Sequence, residues 1–143
     1  MFYVDISVKY YKKLKRLFIK KIERKRENNM GTYTGCIIEE SLKDKTILDE
    51  FNILETREND GVSYIVEIED SKVEEILPKL KKSMVDEPIW YIDLKNYDYH
   101  YIIFNDKIFE VDHDYPEQYE EAKEYGLKRG ILEEYLPNAS WAK

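Results

Sequence analysis

The sequence predicts an α+β domain on a mainly antiparallel sheet of four to six strands, with helices on one face and a basic amphipathic helix at the amino terminus. Three observations lead there. Short apolar and β-branched runs are separated by Asn, Asp and Gly turns rather than by long crossovers. Helical periodicity appears in three places only: before the first run, between the third and fourth, and after the last. The cations are crowded into the first of those helices.

That first segment, residues 9–27, carries ten basic side chains against Glu23 and Glu27, a net +8; the rest of the chain holds 13 basic and 28 acidic residues, a net −15. Tyr11, Leu14, Phe18 and Ile22 recur at spacings of three and four, with Leu17 beside them, which is the stripe of an amphipathic helix. Asn28, Asn29 and Gly31 tolerate the left-handed conformation that stops one. This junction divides the chain into a basic helix over 1–30 and a single α+β domain over 31–143.

Within the domain, residues 32–39 read as a strand and 45–51 as one or two helical turns. Residues 52–57 and 62–69 read as a hairpin turned by Asn59-Asp60-Gly61. Ser71 and Glu74 stand at capping-box spacing ahead of the stripe Val73, Ile76, Leu77, Leu80 and Met84; Pro78, on the opposite face, is expected to kink or split that helix. Three consecutive strands follow, over 89–95, 99–104 and 107–111, the middle one apolar on both faces and therefore central. The last helix is expected over 116–128, with Asp114 and Glu117 as its cap pair, Ala122 and Gly126 allowing close approach to the sheet, and Gly130 as its stop. The tail, 131–143, carries Leu132, Leu136 and Trp141 and is expected to lie along the domain. This order of elements admits a ferredoxin-like core over 32–94.

Composition narrows the class. With one Cys among 143 residues, no internal disulfide forms and a secreted disulfide scaffold is excluded. No apolar run approaches the roughly 20 residues that cross a bilayer, so membrane insertion is not expected. The amino terminus lacks the basic-then-apolar order of a signal peptide, and cytoplasmic residence is expected by elimination. Lys (18) far exceeds Arg (5), Ile reaches 16 and Ala only 3, a bias that points to the AT-rich genome of a low-GC bacterium or its phage.

The residues offer little chemistry. Cys36, between Gly35 and two Ile residues, reads as a buried thiol rather than a nucleophile. Five glycines form no phosphate-cradling loop. Asp93, His100, Asp112 and His113 together suggest a small metal-assisted hydrolase, but their spacing matches no metal-ligand signature. The plainer reading makes His100 a hydrogen-bonded sheet residue, Asp114 a helix cap, and Asp112 and His113 solvated loop residues. No catalytic residue, metal site or cofactor is therefore assigned, and no enzymatic activity is expected.

Aromatic residues are more telling. Trp90, Tyr91, Tyr97, Tyr99 and Tyr101 crowd one hairpin, rimmed by Asp93, Asp98 and Asp106, and Tyr and Trp supply large contact area at low entropic cost. The leading expectation is a non-enzymatic protein-binding module of the immunity, antitoxin or inhibitor type. Its acidic and aromatic surface would meet another protein, a basic, nucleic-acid-handling one. The alternative is a nucleic-acid-binding accessory protein that contacts phosphates through Lys12, Lys13, Arg16, Lys20 and Lys21 of the basic helix. A homodimer paired through a sheet edge or through that helix is a further expectation.

Overall fold

In the computed structural model, which describes residues 31–142, the chain opens on strand β1 (Thr32–Ile38). The basic helix expected over 1–30, with Lys12, Lys13, Arg16, Lys20 and Lys21, lies outside the described residues. Short 3-10 turns at Glu39–Ser41 and Lys45–Glu50 lead to β2 (Asn52–Arg57) and β3 (Ser63–Glu69). Helix α1 (Asp70–Ser83) precedes the meander β4 (Ile92–Lys95), β5 (Tyr99–Ile103) and β6 (Ile108–Asp112), and helix α2 (Tyr119–Lys128) follows it.

The six strands form one sheet in the order β2-β3-β1-β4-β5-β6, with every neighbouring pair antiparallel. β2 and β3 are turned where the sequence placed the turn. In the five-residue loop between the paired Arg57 and Ser63, Asp60 (φ 51°) and Gly61 (φ 118°) both adopt positive φ, which Asp and Gly reach at low steric cost. The two halves of the sheet meet at β1 and β4 through only three residue pairs, Thr34↔Lys95, Gly35↔Leu94 and Cys36↔Asp93. Gly35 is required at this seam, because a Cβ there would fall 2.1 Å from the carbonyl oxygen of Asp93.

Alternation along the strands sends side chains to two cores on opposite faces. The first face carries Tyr33 and Ile37 of β1, Val66 and Ile68 of β3, Ile92 and Leu94 of β4, and Tyr101 and Ile103 of β5. Val73, Ile76, Leu77 and Leu80 of α1 pack there, with Ile47 and Phe51 from the short turn. The second carries Ile102, Phe104, Phe109 and Val111 against Tyr119 and Ala122 of α2, with Ile131 and Leu136 from the tail. Helices thus cover both faces, not one. The reason is β5: it is apolar on both sides, as expected, and an interior strand of that kind needs cover above and below.

Other local expectations are corrected. α1 is neither split at Pro78 nor capped by Ser71. It starts at Asp70, has no side-chain cap, and runs through Pro78, which sits on its exposed face. Strand β4 starts at Ile92 rather than 89, because Trp90 turns into the first core instead of pairing. Before α2, Asp114 and Glu117 make no cap; Pro116–Gln118 forms a 3-10 turn, and Gln118 Oε1 accepts from the Asp112 amide at 2.8 Å. Gly126 faces Leu136 of the tail rather than the sheet, a Cβ there falling 2.4 Å from a Leu136 methyl. Gly130 does end α2, at φ 93°. Ile131 N–H bonds to Gly126 C=O and Gly130 N–H to Leu127 C=O, each at 3.1 Å, which is the Schellman arrangement. Among the described residues no helix is long and apolar enough to cross a membrane.

Candidate functional site

The β4–β5 turn and the loop leading from β6 to α2 lie side by side at one end of the sheet. Asn96 builds the turn: its Oδ1 accepts from the amides of Asp98 (2.9 Å) and Tyr99 (2.7 Å), while its own N–H donates to Tyr99 C=O. The loop is joined to it by two bonds from one residue. His113 N–H donates to Asp98 C=O at 2.8 Å, and the His113 ring Nδ1 donates to Tyr97 C=O at 2.7 Å. Asp112 Oδ1 in turn accepts from the Asp114 amide at 2.9 Å.

This arrangement leaves three tyrosines exposed at the corner, Tyr97 (49%), Tyr99 (38%) and Tyr115 (57%), with Asp98 and Asp114 among them. Of the residues expected to form a partner surface, Tyr97, Asp98 and Tyr99 therefore stand at the surface together. Tyr91 is half-buried, its hydroxyl donating to Tyr135 C=O at 2.6 Å. Trp90, Asp93 and Tyr101 are buried. Trp90 belongs to the first core, and Tyr101 packs on Tyr33 with its hydroxyl donating to Glu110 at 3.0 Å. Asp106 lies at the other end of β5, bound to Arg129 and Tyr125. Burial pushes the Tyr33 hydroxyl up to about 12, so it stays protonated.

Beneath the corner runs a row of polar side chains, buried at Asp93, His100 and Tyr119 and half-buried at His113. Asp93 Oδ2 meets His100 Nε2 at 2.6 Å, His100 Nδ1 meets the Tyr119 hydroxyl at 2.7 Å, and that hydroxyl meets His113 Nε2 at 3.2 Å. The strands put them there: Asp93 and His100 both project to the second face from neighbouring β4 and β5, and Tyr119 is the first inward residue of α2. The Trp141 ring stacks on His100, 6.0 Å between centroids and 16° between planes, and Trp141 C=O accepts from Lys95 Nζ. Burial lowers the Lys95 ammonium from its ordinary value, and burial with the Asp93 carboxylate pushes the Tyr119 hydroxyl far up. The same two causes raise the Cys36 thiol, which pairs across from Asp93 and is buried, so it is no nucleophile.

Three of the four residues of the hydrolase reading thus come together, but as a hydrogen-bonded row. Both His100 ring nitrogens are engaged within the protein, and Asp112 is spent on the turn. Among the described residues no group of three or more His, Cys, Asp or Glu side chains is placed to hold a metal ion. His100 is the hydrogen-bonded sheet residue expected; His113 is tied into the row rather than solvated, and Asp114 caps nothing. Sequence reasoning missed Tyr119, Lys95 and Trp141. A signal existed for Tyr119: it stands three before Ala122 and seven before Gly126, on the inner stripe of a helix facing the strand that holds His100.

Comparison with protein-family models, curated proteins and solved structures finds no match to this chain.

Proposed function

We propose that this chain is a non-enzymatic binding module of the immunity, antitoxin or inhibitor type, and that the corner of Tyr97, Tyr99 and Tyr115 is what it presents to a basic protein. The observation that carries the reading is the exposure of these three aromatic rings, interleaved with Asp98 and Asp114, on two loops bound to each other by His113. Aromatic residues held at rigid turns lose little entropy on binding, and carboxylates around them favour a cationic partner and speed its approach. The overall charge of −7 acts in the same direction. A basic nucleic-acid-handling protein fits this chemistry, because an acidic occupant competes for the surface that phosphates would use. The finer reading of the fold, a ferredoxin-like core over 32–94, is supported by the strand order β2-β3-β1-β4 and by α1 sharing one face with the turn between β1 and β2.

Purifying the tagged chain from its native cells, identifying what accompanies it and reconstituting the pair from purified components tests the reading. Affinity is expected to fall with salt, and to fall at least about tenfold in the Tyr97→Ala/Tyr115→Ala double variant, as for paired aromatic hot spots. Recovery of the chain alone at physiological salt, or a partner indifferent to both substitutions, would overturn it.

A further inference from the structure

The row from Asp93 to Tyr97 can be counted proton by proton. Tyr97 C=O only accepts, so His113 Nδ1 carries a proton. The Tyr119 hydroxyl has a single proton and touches a ring nitrogen on each side; it donates to one ring and accepts from the other. Two arrangements satisfy all four bonds, and each uses four protons. In the first, His113 is an imidazolium that donates to Tyr119, which donates to a neutral His100. In the second, Tyr119 donates to a neutral His113 and accepts from His100 Nδ1–H, while His100 shares its other proton with the Asp93 carboxylate. The second holds the positive charge in contact with a carboxylate at 2.6 Å; the first moves it to a ring that touches no carboxylate directly and is faced by Asp98 and Asp112, while Lys95, the cross-strand partner of His100, opposes charge on either ring.

We propose that Asp93, His100, Tyr119 and His113 form a proton relay that keeps its charge on buried His100 and leaves His113 a neutral Nδ1–H ring, and that this neutral ring latches the tyrosine corner to α2. The relay is full. His113 Nε2 is occupied by the Tyr119 hydroxyl hydrogen, and a proton taken from water must displace it. His113 then turns an N–H toward a hydroxyl that already accepts from His100, the bond opens, and the tie between α2 and the loops carrying Tyr97, Asp98 and Tyr115 is lost. Burial lowers the proton affinity of His113 and Lys95 lowers it further, against the Tyr97 carbonyl, Asp112 and Asp98, which raise it. His100 is faced by Asp93 and Lys95 from β4, Tyr119 from α2, His113 from the loop and Trp141 from the tail. The inference stands apart from the binding reading, since it needs no partner.

The test is long-range nitrogen–proton NMR of the histidine rings in the isotope-labelled full chain, followed across pH. Both His100 ring nitrogens are expected to be protonated near neutral pH, with His113 carrying its proton on Nδ1 alone. His113 should titrate below the ordinary imidazole midpoint, and the amide signals of residues 97–99 and 113–115 should move with it. In Tyr119→Phe the His113 midpoint should rise by ~0.7 pH units, about fivefold in proton affinity, the worth of one ordinary hydrogen bond. A His100 ring with one proton at neutral pH, or corner amides that ignore the His113 titration, would overturn the relay; both are read on the unaltered chain should the variant fail to fold.

Discussion

At Gly35 the backbone of β1 passes so close to β4 that the Asp93 carbonyl oxygen occupies the place of a side chain. A carbonyl locked in a sheet cannot move aside, so Gly35→Ala is expected to cost about 3 kcal/mol or more. Gly126 meets an obstacle of another kind, the methyls of Leu136, which can rotate away, and a helical Ala recovers about 1 kcal/mol of propensity. Urea denaturation of the two variants should therefore rank Gly35→Ala well below Gly126→Ala; equal midpoints would show that the seam is more yielding than its geometry implies. His113 makes the fold more sensitive to acid. Its folded-state proton affinity is lowered, so the unfolded chain binds the proton more readily and stability is lost as pH falls through the ordinary imidazole value near 6.5. His113→Asn keeps a donor toward Tyr97 C=O and does not titrate. Between about pH 7 and pH 5 its melting temperature should fall less than that of the unaltered chain, and an equal fall in both would refute the assignment.

Among the elements, the carboxyl end of α2 is fastened by one residue just beyond it. Arg129 donates to Pro88 C=O (3.1 Å), Asp106 (3.0 Å) and Asn105 (2.5 Å), and its guanidinium lies over the rings of Phe104 and Tyr125. Arg129→Ala should destabilise by about 2–3 kcal/mol in denaturant titration, and Arg129→Lys should recover less than half of that, because a compact ammonium cannot span the three acceptors that Nε, Nη1 and Nη2 reach separately. A fully restoring Lys would reduce the clamp to its charge. Nothing in the sequence marks Arg129, since its hydrogen-bond partners lie 23 to 41 residues away and no periodicity connects them. The elements themselves were legible: β2 matched residue for residue, β1 and β3 within one residue, because alternation and the Asp60-Gly61 turn are local signals. The row beneath the corner was not, because Asp93, His100, His113 and Tyr119 meet only after the meander and α2 have packed. Trp90, Asp93 and Tyr101 were credited to the surface for a related reason: composition marks aromatic and acidic residues as contacts, and only the pleat decides which face they take.

For the molecule as a whole, β5 makes the two faces inseparable. Tyr101 and Ile103 belong to one core, Ile102 and Phe104 of the same stretch to the other, so neither core can be dismantled while its neighbour keeps the strand in place. Each face also carries its own indole, Trp90 in the first and Trp141 against the second. In Trp90→Phe and in Trp141→Phe, the remaining fluorescence should report the same denaturation midpoint as far-ultraviolet circular dichroism. Divergent midpoints would mean that the faces melt separately and that β5 does not couple them.

The narrow join between β1 and β4 has one more effect. Everything on one side of it comes from residues 31–83 and everything on the other from 92–142, with three residue pairs and the shared first core between them. Cut in the connection between α1 and β4, the chain would yield two contiguous fragments, each with three antiparallel strands and its own helix. The docking groove of each fragment is already drawn by the other, and Gly35 marks the point at which the reassembled pieces would come closest.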